Sequence, residues 1–81
     1  MVAVGITNKG KRLEFVCIDG ILYCCDNDLV SLNIPEGVKT LSCENNLLTE
    51  LFLPESVKKL WCDKEINGLK EFIDKIEIEL W

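Results

Sequence analysis

The 81-residue chain contains no histidine, a single methionine, a single tyrosine and two prolines. Without histidine, neither a Cys–His nor a Ser–His pair can activate a nucleophile. There is also no glycine-rich loop of the kind that cradles phosphates. The sequence therefore predicts a protein that is not an enzyme and that uses no cofactor.

Long apolar runs are missing as well. No stretch approaches the roughly 20 apolar residues that a membrane-spanning helix requires. The opening "MVAVGI" lacks a basic leader and is too short for a signal peptide. We therefore expect no membrane association.

Basic residues are scarce. The chain has 9 Lys and Arg against 14 Asp and Glu, which gives a net charge of −5. Nucleic-acid phosphates attract Lys and Arg, so this balance argues against a nucleic-acid partner. If the partner is charged, it should be a protein with a basic patch.

What the chain does have is a repeat. The segment "LYCCDNDLVSLNIPEGVKTLSC", residues 22–43, superimposes without a gap on "LSCENNLLTELFLPESVKKLWC", residues 41–62, after a shift of 19 positions. The positions that recur include Leu22, Leu41 and Leu60; Cys24, Cys43 and Cys62; Asn27 and Asn46; Leu29 and Leu48; and Pro35 and Pro54. A fixed period near 20 residues is typical of stacked repeat architectures.

The repeat has the form V-x-x-L-x-C-x-x-N-x-L, which Val38, Leu41, Cys43, Asn46 and Leu48 fill completely. It resembles the leucine-rich repeat, L-x-x-L-x-L-x-x-N/C-x-L, with Cys at the third Leu position. The resemblance covers roughly residues 20–66 and is nearest to the short repeats of bacterial and viral members. It implies a concave face of parallel strands that binds another protein.

We predict a β-rich α+β fold in one domain, residues 1–81. L-x-C alternates with period 2, as a strand does. Only a dozen residues separate the strands, and Pro54 interrupts them, so the outer side should be extended or polyproline-like with isolated helical turns. Residues 21–66 would form a leucine-rich-repeat solenoid. Residues 1–20 would be a capping β-hairpin, because Asn-Lys-Gly and Asp-Gly are hairpin signals. The alternative is a decayed first repeat, since Asn8 lies two periods before Asn46.

Residues 67–81 are predicted to cap the other end with a helix and a strand. Leu69, Phe72 and Ile73 have helical spacing, and Asn67 can serve as the N-cap. The segment "IEIELW" that follows alternates strictly and predicts a last parallel strand.

Five cysteines form an odd number, and three of them occupy equivalent repeat positions. This pattern indicates packing of reduced thiols and a cytoplasmic protein, in the host cytoplasm if the protein is phage or viral. A straight column of Cys24, Cys43 and Cys62 does not surround one point, so no metal site is expected. Cys17 and Cys25 are less well explained. Asn27 and Asn46 should form a ladder that satisfies backbone groups at the corner.

The outward side chains of the strands form columns. The central one contains Tyr23, Ser42 and Trp61, and we predict a notch at Ser42 between two aromatic walls. Thr40 and Lys59 flank it on one side, and Glu44 and Asp63 on the other. Exposed aromatics often anchor interfaces, whereas adjacent carboxylates favour a basic partner. Alternatively, the hairpin covers Tyr23 and the C-terminal segment covers Trp61.

Two functions remain open. In the first, the protein is a small binding module that docks a partner on its concave face, with inhibition of a host protein by a phage or viral product as one form. In the second, it is an assembly protein that self-associates through its solenoid ends or its edge strand "IEIELW". A monomer, which we favour, supports the first.

Overall fold

The computed structural model describes residues 1–68 and 75–80. Its elements are β1 (Val2–Thr7), β2 (Arg12–Val16), β3 (Ile21–Tyr23), β4 (Leu29–Asn33), β5 (Thr40–Ser42), β6 (Lys59–Cys62) and β7 (Glu77–Leu80). They form two sheets, and the described residues include no helix.

The 19-residue repeat builds a parallel sheet of order β3-β5-β6-β7. Leu22, Leu41, Leu60 and Ile78 lie side by side across the four strands. Each repeat therefore contributes one strand to the sheet. Residues at equivalent repeat positions lie next to each other on neighbouring strands and form straight columns across it. Backbone bonds continue beyond the strands, since Cys24 N donates to Ser42 O at 2.9 Å and Cys43 N donates to Trp61 O at 2.9 Å.

The corners after β3 and β5 are held by side-chain amides, as the repeated asparagines predict. Asn46 Oδ1 accepts hydrogen bonds from the N–H groups of Asn27 and Leu29, both at 3.0 Å. Asn46 Nδ2 donates to Cys24 O at 2.9 Å and to Cys43 O at 3.1 Å. One half-buried side chain thus joins two successive turns of the chain where the strand ladder ends.

Asp63 replaces the amide at the next corner, where Glu65 stands at the asparagine position. Its carboxylate accepts from Asn45 N at 2.8 Å and from Asn46 N at 2.9 Å. Asn45 has a positive φ of 59°, as its repeat equivalent Asp26 does at 60°. Asn and Asp tolerate this left-handed conformation better than most residues, so the corner geometry is repeated as well.

A second corner is tied by Ser56, which sequence analysis did not single out. Its Oγ accepts from Gly37 N at 3.0 Å and donates to Val38 O at 2.8 Å. Ser56 is the repeat equivalent of Gly37, which has a φ of 100°. The two corners together fix the distance between successive turns on both sides of the strand.

The N-terminal hairpin is present, as predicted. Strand β1 pairs antiparallel with β2. The Asp19–Gly20 turn, which follows β2 and leads into β3, has positive φ at both residues. Ile18 and Ile21 on either side of this turn exchange two backbone hydrogen bonds of 3.1 and 2.9 Å. These features are those of a two-residue type I′ hairpin turn.

The predicted α+β leucine-rich-repeat solenoid is wrong. Strand β1 also pairs antiparallel with β4, the outer segment of the first repeat, so the hairpin and β4 form a second sheet of order β2-β1-β4. An outer segment with extended backbone offers unpaired N–H and C=O groups, and β1 satisfies them. Over residues 1–68 and 75–80 the two sheets do not close into a solenoid, and the class is all-β.

The expected C-terminal cap of a helix and a strand also needs correction, because only its strand is present in the described residues. Strand β7 does extend the parallel sheet, paired with β6. No helix accompanies it in the described part of the chain, and the residues 69–74 on which the helix was predicted lie outside that part.

One hydrophobic core lies between the two sheets. Leu22, Leu41, Leu60 and the three column cysteines are fully buried, and Ala3 from β1 joins them. The inner residues of β2, Leu13 and Phe15, pack against this core. The hairpin is therefore an integral part of the domain.

Replacing Asn46 by Ala should lower the free energy of unfolding by roughly 1–3 kcal/mol, because it leaves N–H and C=O groups of two turns without partners. Asn27→Ala is the matched control. The Asn27 amide donates to Cys24 O and Cys25 O, with no acceptor bond in the described residues, so its loss should cost less. Urea unfolding of the three proteins gives the comparison. An Asn46→Ala midpoint equal to that of wild type would contradict this assignment.

Candidate binding face

The outward face of the parallel sheet carries one continuous row of side chains. Tyr23 lies beside Ser42, Ser42 beside Trp61, and Trp61 beside Glu79 in the strand register. The predicted central column is therefore brought together, with Glu79 as its fourth member.

Tyr23 is the exposed end of this row, with 65 % of its surface accessible. Ser42 is only 5 % accessible, and its hydroxyl is hydrogen-bonded to the Glu44 carboxylate. The hydroxyl of Ser42, the central residue of the predicted notch, is therefore already bonded to Glu44. Sequence reasoning placed the serine correctly but could not foresee that Glu44 folds back over it.

Trp61 is half-buried and is held by its own neighbours. Its Nε1 donates to Glu79 Oε2 at 2.7 Å, and Lys59 Nζ lies 4.6 Å from the ring centroid. Such a cation–π contact contributes about 0.5–1 kcal/mol at exposed sites. The indole is thus positioned as a rigid side wall of the face, in part by the C-terminal strand.

A second row runs parallel to the first, with Thr40, Lys59 and Glu77 in register. Lys59 and Glu77 approach to 3.9 Å, with 41 % of the Lys59 side chain and 79 % of the Glu77 side chain accessible to solvent. An exposed pair of this kind contributes little to stability. Lys59 is therefore a weakly held cation among carboxylates.

Glu44 and Asp63 were expected to repel each other and so to favour a basic partner. Each instead has an internal role, Glu44 on the Ser42 hydroxyl and Asp63 on the amides of Asn45 and Asn46. Asp63 therefore stabilises the corner of the repeat through these two hydrogen bonds. Glu77 and Glu79 are both exposed on β7, and each also has a partner on this face, Lys59 for Glu77 and the Trp61 indole for Glu79.

Ile18 belongs to the same face and was missed. It is 66 % exposed, and paired residues in an antiparallel bridge point to the same side. Ile18 therefore lies with Ile21, beside Tyr23, and gives the face an apolar end. The Asp-Gly turn signal could have revealed this, because a two-residue turn places its flanking residues opposite each other.

The column thiols Cys24, Cys43 and Cys62 are fully buried, whereas Cys17 and Cys25 are half-buried. Burial raises the pKa of Cys24 from its ordinary 9.0 to about 12 and that of Cys62 to about 11. The pKa of Cys43 is raised further, again mainly by burial. A neutral, buried thiol is a poor nucleophile and a poor metal ligand.

Residues 1–68 and 75–80 show no group of three or more Cys, Asp or Glu side chains arranged to hold a metal ion. They also show no helix with the length and apolarity needed to cross a membrane.

Comparisons of the chain with protein-family models, with curated proteins and with solved structures find no match. The resemblance to leucine-rich repeats therefore stays a prediction from the motif.

Cys24, Cys43 and Cys62 should react slowly with a thiol reagent in the folded protein, and Cys25 faster, because Cys25 is partly accessible. Residue-resolved mass spectrometry after brief labelling measures this order. Denaturation in urea is the control, since it should equalise the rates. Rapid modification of folded Cys43 would show that the column faces outward.

Stability should fall as the pH rises above about 9. Thiols with raised pKa values stay protonated when folded, whereas unfolded thiols ionise near 9.0. The unfolded state then binds fewer protons, so the free energy of unfolding declines through the window from about 9 to about 12. Urea unfolding at several pH values tests this, and Cys24→Ala should flatten the slope. A slope unchanged in that variant would refute the linkage.

Proposed function

We propose that this protein is a small binding module that docks another protein on the outward face of its parallel sheet. The observation that carries the proposal is the exposure of Tyr23, 65 % accessible, in register with Ser42 and Trp61. Large aromatic side chains that are rigidly placed and open to solvent are frequent anchors of protein interfaces.

The face has two chemically different ends. Ile18, Ile21 and Tyr23 make the first end apolar, whereas Glu77 and Glu79 make the β7 end acidic. A partner that matches both would present an apolar group beside Lys or Arg. This agrees with the net charge of −5. Binding without catalysis would make the protein a modulator or inhibitor of its partner.

Two further expectations belong to this proposal. The leucine-rich-repeat resemblance of the motif supports the same face as the docking surface. The cytoplasm, of a host cell if the protein is phage or viral, is the compartment that suits five free cysteines.

Self-association through the edge strand is the second candidate. Strand β7 stands at the end of the parallel sheet, and Leu80 on it is 56 % exposed. Edge strands with apolar side chains invite pairing with another chain. Leu80→Pro removes one N–H donor from the free edge, because the N–H groups of Glu77 and Glu79 point towards β6 and that of Leu80 points away from it. This variant should abolish assembly only if β7 is the contact.

Tyr23→Ala should weaken binding to the natural partner at least 30-fold, because losing an anchor costs about 2 kcal/mol or more, and should leave the melting temperature nearly unchanged. Trp61→Ala should weaken binding as strongly but also lower stability slightly, since the indole contacts Lys59 and Glu79. Wild type and Tyr23→Ala are used as paired baits in the native cell extract, and the protein retained by wild type alone is titrated calorimetrically.

Glu79→Lys and Glu55→Lys form the charge-matched pair of variants for the same titration. The first reverses a charge on the binding face and should weaken binding, more so at low salt. The second lies outside the strands of that face and should change little. Undiminished binding by Tyr23→Ala, or loss of binding in Glu55→Lys, would refute the proposed face.

A further inference from the structure

Trp61 stands at the centre of a small charged cluster on the outward face. Lys59 lies two residues before it on β6, and Glu77 and Glu79 lie opposite these two residues on β7. Because side chains alternate along a strand, all four point away from the buried Leu60 and the core. The cluster joins two strands and has one ammonium group against two carboxylates.

The indole is contacted at its edge and over its face by groups of opposite charge. At the edge, Nε1 of Trp61 donates to Glu79 Oε2 at 2.7 Å. Over the face, Lys59 Nζ lies 4.6 Å from the ring centroid. An aromatic ring is negative on its face and positive at its edge, so each group contacts the part of the ring that attracts it. The Glu79 contact holds the ring in place, and the ring face is a seat for a cation.

Lys59 occupies this seat loosely. Its ammonium nitrogen is 3.9 Å from Glu77 Oε2, a longer separation than the ~2.7–2.9 Å of a charge-assisted hydrogen bond. Part of its side chain is open to solvent. A cation–π contact at an exposed site contributes only about a two- to fivefold preference for the seated position. Lys59 can therefore leave the ring at little cost.

The strand itself does not require a lysine at this position. Thr40 is the repeat equivalent of Lys59 and lies directly beside it in the register of β5 and β6. Threonine suits a strand better than lysine does. The fold therefore accepts a neutral side chain here, and the particular contribution of Lys59 is the positive charge that it places over Trp61.

We propose that Trp61, Glu77 and Glu79 form a site for the guanidinium group of an arginine, and that Lys59 is the internal occupant that this arginine displaces. A guanidinium is planar, stacks on aromatic rings, is more weakly hydrated than an ammonium and forms paired hydrogen bonds with carboxylates. These properties let it compete with Lys59 for the same ring. The displaced ammonium extends into solvent.

This inference rests on the proposed function, because it names the residue type that a partner inserts on the outward face. Tyr23 lies two strands from Trp61, which is about 10 Å at the usual strand spacing. One partner can therefore place an apolar group at Tyr23 and an arginine at Trp61. The arginine site can be tested without any partner, so the site and the proposed function can fail separately.

Titration with N-acetylarginine amide, followed by NMR at the indole N–H of Trp61, tests the site. The probe is added to about 100 mM at constant ionic strength, because a single residue binds in the millimolar range or more weakly. Wild type should bind it, whereas N-acetylcitrulline amide, which has the same shape without the charge, should not bind. Lys59→Thr should bind the arginine probe about two- to fivefold more tightly, since the internal competitor is gone.

Lys58→Thr is the matched control for this titration. It removes the same charge one residue earlier, from a side chain that donates to Glu55 O at 3.2 Å, and should leave the affinity at the wild-type value. Circular dichroism checks that both variants are folded. The proposal would be overturned by equal gains in affinity in Lys58→Thr and Lys59→Thr, or by no gain in Lys59→Thr. Equal binding of the citrulline probe, or no binding of the arginine probe, would overturn it as well.

The Lys59 side chain provides a second readout, which a general effect of charge would not move. Its ε-methylene protons lie near the Trp61 ring together with the ammonium nitrogen, so the ring current should shift their resonance upfield of that of the exposed Lys9. Adding N-acetylarginine amide to wild type should return the Lys59 resonance toward that of Lys9. A Lys59 resonance that stays in place while the probe binds would show that arginine binds elsewhere, and the displacement would be refuted.

Discussion

The structure depends on how the chain satisfies its backbone at the corner after each short parallel strand. Three- and four-residue strands leave most N–H and C=O groups outside the ladder, and burying such groups without partners is costly. The Asn46 side chain meets this need in both directions, since it accepts from Asn27 and Leu29 and donates to Cys24 and Cys43. Because these partners belong to successive turns, one side chain fixes both the corner and the stacking.

Once the turns are stacked in register, the other features follow. The inward Leu and Cys positions become columns in a continuous core, and small thiols fit between the leucines of neighbouring strands. The outward positions become rows, so Tyr23, Ser42 and Trp61 must share a face whatever their chemistry. A surface made in this way needs no loop to hold it.

The sequence predicts the parts of the fold that repeat. The period of 19, the inward cysteines, the asparagine corner and the two hairpin turns all have local signals, such as Asn46 two positions before Leu48 or Asp19 before Gly20. The second sheet has no such signal, because β4 becomes a strand through pairing with β1, and the paired residues are 22 or more positions apart in the chain. The folding of Glu44 onto Ser42 and the substitution of Asp63 for a ladder asparagine are likewise tertiary effects.

The candidate site also has a part that the sequence predicts and a part that it does not. Its row was predictable because it follows the repeat, whereas its accessibility depends on side chains from other elements. Ile18 joins the face through the hairpin turn, and Glu79 reaches Trp61 from β7.

Amide hydrogen exchange tests the central claim most directly. The N–H groups of Asn27 and Asn46 lie outside the named strands and are bonded to the side chains of Asn46 and Asp63. If side-chain ladders hold the stacked turns together, these two amides should exchange as slowly as Leu41 in the core strand and should lose protection only with global unfolding. Exchange of Asn27 and Asn46 at the rate of the exposed hairpin loop at Lys9 would contradict the account.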